Sequence, residues 1–279
     1  MMNVPSYNTL LYSKDKTLKT IQYLCELHND QEKAIAACEK EIALCERKAD
    51  ADQQHLKAQQ EIYTLKKALG QLGGDVTYDL PNELGTTFNT LMSNYGTVKL
   101  QEDTTTGRFG PGITAKNKVT LNLNNHNLTC TNAGTYGIIM ARGSQEITVT
   151  GKGTMDAGDG ICIECNGANA VINLSGSTTT YQTNRPGGEL IYCYQGTVNI
   201  SNGTFKNNGS PYLLNCYDAN YKSGKAKIVV TGGKFYDFDP SNNGAEGEGT
   251  SFVAEGYTVT SAAVTEDDGE HTVYTVKKA

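Results

Sequence analysis

Apolar residues recur along this chain with two different spacings, and the change between them falls near residue 72. From residue 13 to 71 they can be set in heptads. With Ile35 at position a, the a sites are Ile21, His28, Ile35, Ile42, Ala49 and Leu56. The d sites are then Leu24, Gln31, Cys38, Cys45, Asp52 and Gln59. Near Ile62 the frame slips by one and continues through Ile62, Leu65, Leu69 and Leu72. Such a slip changes supercoil winding without ending a helix. The stretch has no glycine before Gly70 and no proline between Pro5 and Pro81, so it lacks the strongest helix breakers. The seam is narrow and contains His28, Gln31, Asp52 and Gln59, so the helix needs a partner to bury it. Copies of the same helix in a coiled coil, or the surface of another protein, satisfy that need, and Ile at a with small residues at d permits a trimer. The expected assembly residues are Ile21, Leu24, Ile35, Cys38, Ile42, Cys45 and Leu56. A helical hairpin folding back at 49–54 is the alternative, although no Gly or Pro marks a turn there. His28 is expected to fix register rather than bind a ligand.

Gly70 and the Gly73-Gly74 pair end this helix, and residues 73–81 read as a linker. Asn82 then caps a short amphipathic helix within 82–95, with Leu84, Phe88, Leu91 and Met92 on one face. Beyond it the spacing changes to two. One strand recurs as Leu121-Asn-Leu123, Ile147-Thr-Val149, Ile172-Asn-Leu174, Val198-Asn-Ile200 and Ile228-Val-Val230, at steps of 26, 25, 26 and 30 residues. Each is followed by a small polar residue: Asn124, Thr150, Ser175, Ser201 or Thr231. Three then turn at glycine into Gly153-Thr-Met155, Gly203-Thr-Phe205 and Gly233-Lys-Phe235. The first turn ends in Leu128, and the third, at Thr178, lacks an apolar partner.

A second strand recurs between these: Ile139-Met-Ala141, Ile163-Glu-Cys165, Ile191-Tyr-Cys193 and Leu214-Asn-Cys216. Alternation along a strand points Ile or Leu and then Ala or Cys inward, and Met140, Glu164, Tyr192 and Asn215 outward. Like strands one period apart stack in parallel, as in a solenoid, whereas sandwich strands pair through short hairpins. The expected fold is therefore mainly β, a right-handed parallel β-helix of four to five coils over 96–240. A helical coiled coil over 13–72 precedes it, and a C-terminal cap or β-hairpin over 241–279 follows. The short helix at 82–95 is placed to cover the open end of the stack.

The periodicity settles the reading of Cys162 and Cys165. Their C-x-x-C spacing suits a redox pair or half a zinc site. Yet Cys165, Cys193 and Cys216 occupy equivalent positions in successive coils, where they stack as small apolar groups. No second C-x-x-C completes a zinc site. No metal and no cofactor is expected. Formal net charge is −6 without a basic run, which argues against nucleic-acid binding. No apolar stretch is long enough to span a membrane, and residues 1–24 lack signal-peptide order. Assembly in a cytoplasm is the simplest expectation.

Gly96-Thr-Val-Lys-Leu100 and Ile113-Thr-Ala-Lys-Asn-Lys-Val-Thr-Leu-Asn-Leu-Asn-Asn-His-Asn-Leu128 resemble the opening coils of pectate-lyase-like β-helix proteins of phages and gut bacteria. Phe238-Asp-Pro-Ser241, Phe252-Val-Ala-Glu-Gly-Tyr257 and Tyr274-Thr-Val276 resemble the closing segment of the same group. The likeness covers about residues 82–276. Together with the helical segment in front, it resembles a fibre or spike of a tailed bacteriophage. That resemblance implies a homotrimeric virion protein, a head fibre or capsid decoration, with residues 1–12 attached to a capsid or tail protein. A tail-fibre adhesin for cell-surface glycan and a polysaccharide depolymerase are the alternatives it leaves open, since one fold hosts many functions.

Catalysis on a glycan needs two carboxyls facing one cleft. Asp156 and Asp159 share a turn, where Asp is common for local reasons. Asp237 and Asp239 fall in the closing segment. Glu164 is expected between Met140 and Tyr192, away from a second carboxyl. No catalytic residue is assigned. Tyr192, Tyr194 and Tyr217 are expected on neighbouring coils of one outward strand, as a contact between copies or a platform for host glycan.

Overall fold

A computed structural model describes residues 31–81, 87–130, 137–207 and 210–279, with backbone alone for 31–45, 48, 49 and 52. The chain divides into two compact units, residues 1–65 and 66–279. The anchor segment 1–12, together with Ile21, Leu24 and His28, lies outside the described residues, as do Asn82 and Leu84.

Helix α1 runs unbroken from Gln31 to Gln71. The fold-back at 49–54 is therefore not formed. Ile35, Cys38, Ile42 and Cys45 lie on its backbone. Leu56, Ile62 and Leu65 are 45%, 54% and 69% exposed. The helix stops where the chain turns left-handed at Gly73 (φ 85°), and the Gly74 amide donates back to the Leu69 carbonyl at 3.0 Å. This is the usual way a helix end satisfies its orphan carbonyls.

Residues 66–279 form a parallel β-solenoid of about five turns. Each full turn has three walls. The first wall consists of β1 (Thr77–Leu80), β2 (Gly96–Leu100), β4 (Lys118–Asn122), β7 (Glu146–Thr150), the second halves of β9 (Ile163–Leu174) and β11 (Ile191–Ile200), and β14 (Ala226–Val230). The second wall stacks β3 (Thr104–Thr106), β5 (Leu128–Cys130), β8 (Lys152–Asp156), β10 (Thr178–Gln182), β12 (Thr204–Lys206) and β15 (Gly233–Tyr236). The third wall stacks β6 (Ile139–Arg142), the first halves of β9 and β11, and β13 (Leu214–Cys216).

The columns follow from in-register stacking of like residues. Ala141, Cys165, Cys193 and Cys216 form one inside the third wall, all buried. Inside the second wall, Leu128, Met155, Tyr181, Phe205 and Phe235 form another. The last three rings stack at 4.9 Å between successive centroids. Tyr181 is thus the partner that the turn at Thr178 lacked by sequence. It was missed because Thr179 stands where the preceding coil has Gly153.

The first wall carries two corrections. Leu121 pairs with Val149, not Ile147, and Val119 occupies the Ile147 column. That column continues through Ile172, Val198 and Ile228. Val119, Leu121 and Leu123 are all buried, so hydrophobicity alone leaves a two-residue choice of register. Buried amides decide it. Asn117 Nδ2 donates to the carbonyls of Met92 and Asn94, and Gln145 Nε2 donates to Asn117 Oδ1 at 2.8 Å. The small polar residue after the strand is accordingly Asn122, aligned with Thr150. The wall also starts earlier than expected. Thr77–Leu80, read as linker, pairs with β2 through Tyr78↔Val98 and Leu80↔Leu100.

At the lower end, α2 (Phe88–Met92) is capped by Thr87, whose Oγ1 accepts from the Thr90 amide. It buries Phe88, Leu91 and Met92. At the other end, β17 (Gly269–Lys278) pairs antiparallel with β15 and with β16 (Tyr257–Glu266), forming a C-terminal hairpin that extends the second wall. Phe252 closes over the last coil, where its carbonyl accepts the Val230 amide at 2.9 Å.

Candidate binding face

The third wall and its corner into the first carry the exposed aromatic residues that the sequence singled out. Tyr194 and Tyr217 stack across neighbouring coils at 4.8 Å and 22°, and are 37% and 42% exposed. Each directly follows a column cysteine, which fixes its outward aim. Tyr194 sits in the irregular register between Cys193 and Gln195, where an extra residue re-aims a strand. Helix α3 (Asp218–Lys222) begins beside the stack, and Asn220 Nδ2 donates to the Tyr194 carbonyl at 2.6 Å.

Tyr192 lies beside Glu164 as the repeat implied, but not on a coil next to that of Tyr194. It shares β11 with Tyr194 rather than a neighbouring coil, and its register partners are Glu164 and Asn215. It is half-buried. Burial, then Glu189 and Glu164, push its phenol up to about 12. Glu189 accepts from Asn215 Nδ2 at 3.3 Å and lies 3.8 Å from Arg185. Tyr212 is also exposed. The repeat did not flag it because it stands in a connection, outside the strand pattern.

Met140 and Glu164 hold the outward strand positions that alternation assigned to them, but both are buried. The repeat encodes a side chain's direction and not what lies over it. Asn166 Nδ2 donates to Glu164 Oε1 at 3.2 Å, while Oε2 has no hydrogen-bond partner among the described residues. Burial raises the Glu164 carboxyl above its ordinary value, opposed by Asn166, the Gly137 backbone, Arg142 and Arg108.

Beside this wall lies a cleft of about 370 Å³ lined by Ile113, Arg142, Ser144, Asn166, Asn169 and Gln195, among others. Glycines let the coils pack closely at this corner. At Gly196 (φ 99°) a Cβ would stand 2.5 Å from the Gly167 carbonyl oxygen, so the coils close together only without one. The cleft offers amides, a hydroxyl, a guanidinium and the apolar side chains of Ala168 and the exposed Ile113.

The other candidate carboxylates serve local structure. Asp156 accepts from the Gly158 amide and from Gln182 Nε2, both at 2.8 Å. Asp159 lies in the same connection. Asp239 accepts from the amide and hydroxyl of Ser241, and Asp237 accepts from the Thr272 amide. The C-x-x-C pair diverges: Cys162 Sγ faces the Met155 carbonyl, and Cys165 Sγ faces those of Ala170 and Thr197. Burial pushes the Cys162 thiol well up. Hydrogen bonding to Cys193, then burial, does the same for Cys165 and Cys216. Among the described residues no group of three His, Cys, Asp or Glu is placed to hold a metal. No described helix is long and apolar enough to cross a membrane. Compared with protein families, curated proteins and solved structures, this chain gives no match.

Proposed function

We propose that this chain is a structural fibre protein of a tailed-bacteriophage virion, a head fibre or capsid decoration. In this reading three copies join through a coiled coil of their N-terminal helices. Residues 1–12 hold the fibre to a capsid or tail protein, and a right-handed β-helix is displayed outward. The observation that carries it is the exposure of Leu56, Ile62 and Leu65 on an unbroken 41-residue helix. Apolar residues at that spacing call for a neighbouring helix. The test is electron microscopy of purified virions labelled with antibody to this chain. Label on the capsid is expected, and unlabelled virions would overturn the proposal.

A second reading rests on a separate observation, the exposed Tyr194–Tyr217 stack beside a polar cleft. Tyrosine pairs an apolar ring with a hydroxyl, which suits sugar recognition. In this reading the fibre also contacts a host-surface glycan. The double variant Tyr194→Ala, Tyr217→Ala should lose cell binding and keep its oligomer mass. Loss of the oligomer instead would make the stack a contact between copies.

A further inference from the structure

A charged cluster joins the C-terminal hairpin to the last parallel strand of the second wall. His271, on β17, has its Nδ1 2.7 Å from Asp237 Oδ2 and its Nε2 3.1 Å from Asp268 Oδ1. Asp237 directly follows β15, and Asp268 lies in the turn between β16 and β17. The backbone at Asp237 is left-handed (φ 54°), a conformation that few residues other than glycine adopt. Its carboxylate thereby accepts both the Thr272 amide, at 2.8 Å, and the imidazole.

Both ring nitrogens thus face oxygens that, in ionised carboxylates, only accept. A neutral imidazole has one N–H and can satisfy only one of them. An imidazolium satisfies both. We propose that His271 is a proton-operated latch: charged, it bridges Asp237 to Asp268, and on losing its proton it releases the hairpin turn. The proton that remains belongs on Nδ1, at the shorter contact, so the Asp268 arm is the one that opens. The pairing of β15 with β17 and the Thr272–Asp237 bond do not depend on the ring's charge. The latch therefore acts on the turn and not on the hairpin as a whole.

The surroundings favour the charged form. Tyr236, on β15, meets the ring edge-on at 5.6 Å. Lys206, on β12, and Tyr236 are both bound to Glu266, at the end of β16, so this lysine is paired with its own carboxylate. Glu270 neighbours His271 along β17. Hydrogen bonding to Asp237, and then to Asp268, raises His271 above the ordinary imidazole value. Hydrogen bonding to His271 lowers Asp268.

Sign follows from these directions. A raised imidazole contributes stability in full below its unfolded value and loses it as pH rises through the folded one. The test uses the full chain, with His271 identified in NMR spectra by its loss in His271→Gln. Hydrogen exchange at residues 266–270 is compared at about pH 5 and about pH 8, after correction for intrinsic rates. His271 should titrate above about 6.5, and turn protection should fall several-fold at the higher pH. Asp268→Asn should lower the titration and remove most of the pH dependence at the turn. Titration at or below the ordinary value, equal protection at both pH values, or an unchanged profile in Asp268→Asn would each overturn the latch.

Discussion

In the solenoid, Leu121, Val149, Leu174, Ile200 and Val230 lie in one column with no exposed surface. On α1, residues just as apolar, Leu56, Ile62 and Leu65, are about half exposed or more. The two regions solve the same problem differently. A solenoid coil buries its apolar face against the coils above and below, so the stack supplies its own partners. A long helix with a narrow apolar seam has no such built-in stack, and in the proposed reading it finds its neighbour in another copy of the chain. In that proposal the solenoid is the self-sufficient part, and the helix the part that assembles.

That contrast breaks if a change in one region alters the other. The largest separation is expected for the double variant Ile62→Asp, Leu65→Asp. Each buried side chain of this kind contributes about 1.5–3 kcal/mol, so association should weaken by about 3–6 kcal/mol per chain. The solenoid's unfolding midpoint should not move. Sedimentation together with denaturant unfolding reads both, and a lowered midpoint would show the regions to be coupled. Phe205→Ala tests the reverse direction. Its ring is stacked on both sides, against Tyr181 and Phe235, and its loss should cost about 3–5 kcal/mol of solenoid stability. The oligomer mass should stay the same. Cys193→Ser is smaller and sharpens the reading of the cysteine column. A hydroxyl among stacked thiols should cost about 1–3 kcal/mol in the same unfolding experiment. A neutral or stabilising outcome would mean that the column is not apolar in character.

How much of each region was legible follows from the same contrast. The cysteine column could be read because Ala141, Cys165, Cys193 and Cys216 recur at one place in the coil, and stacking turns recurrence into contact. Register in the first wall was less secure. Val119, Leu121 and Leu123 alternate through the whole strand, and a slip by two leaves every side chain on the same face. The buried amides of Asn117 and Gln145 separate the two registers. Tyr181 escaped notice because Thr179 takes the place of the glycine that stands two residues before the apolar position in neighbouring coils, and Thr77–Leu80 because Asp75, Asp79 and Pro81 read as a linker. Glu164 shows a different kind of limit. Its outward direction was encoded in the strand, while its burial was not. On the candidate face, the exposed residues following the cysteines were legible, and those in connections, such as Tyr212 and Ile113, were not.

The claim that the helix assembles the molecule while the solenoid stands alone is tested most directly by light scattering on the full chain across the micromolar range. A mass three times that of one 30.1 kDa chain, holding steady on dilution, is the predicted result. A clean monomer throughout that range would contradict it.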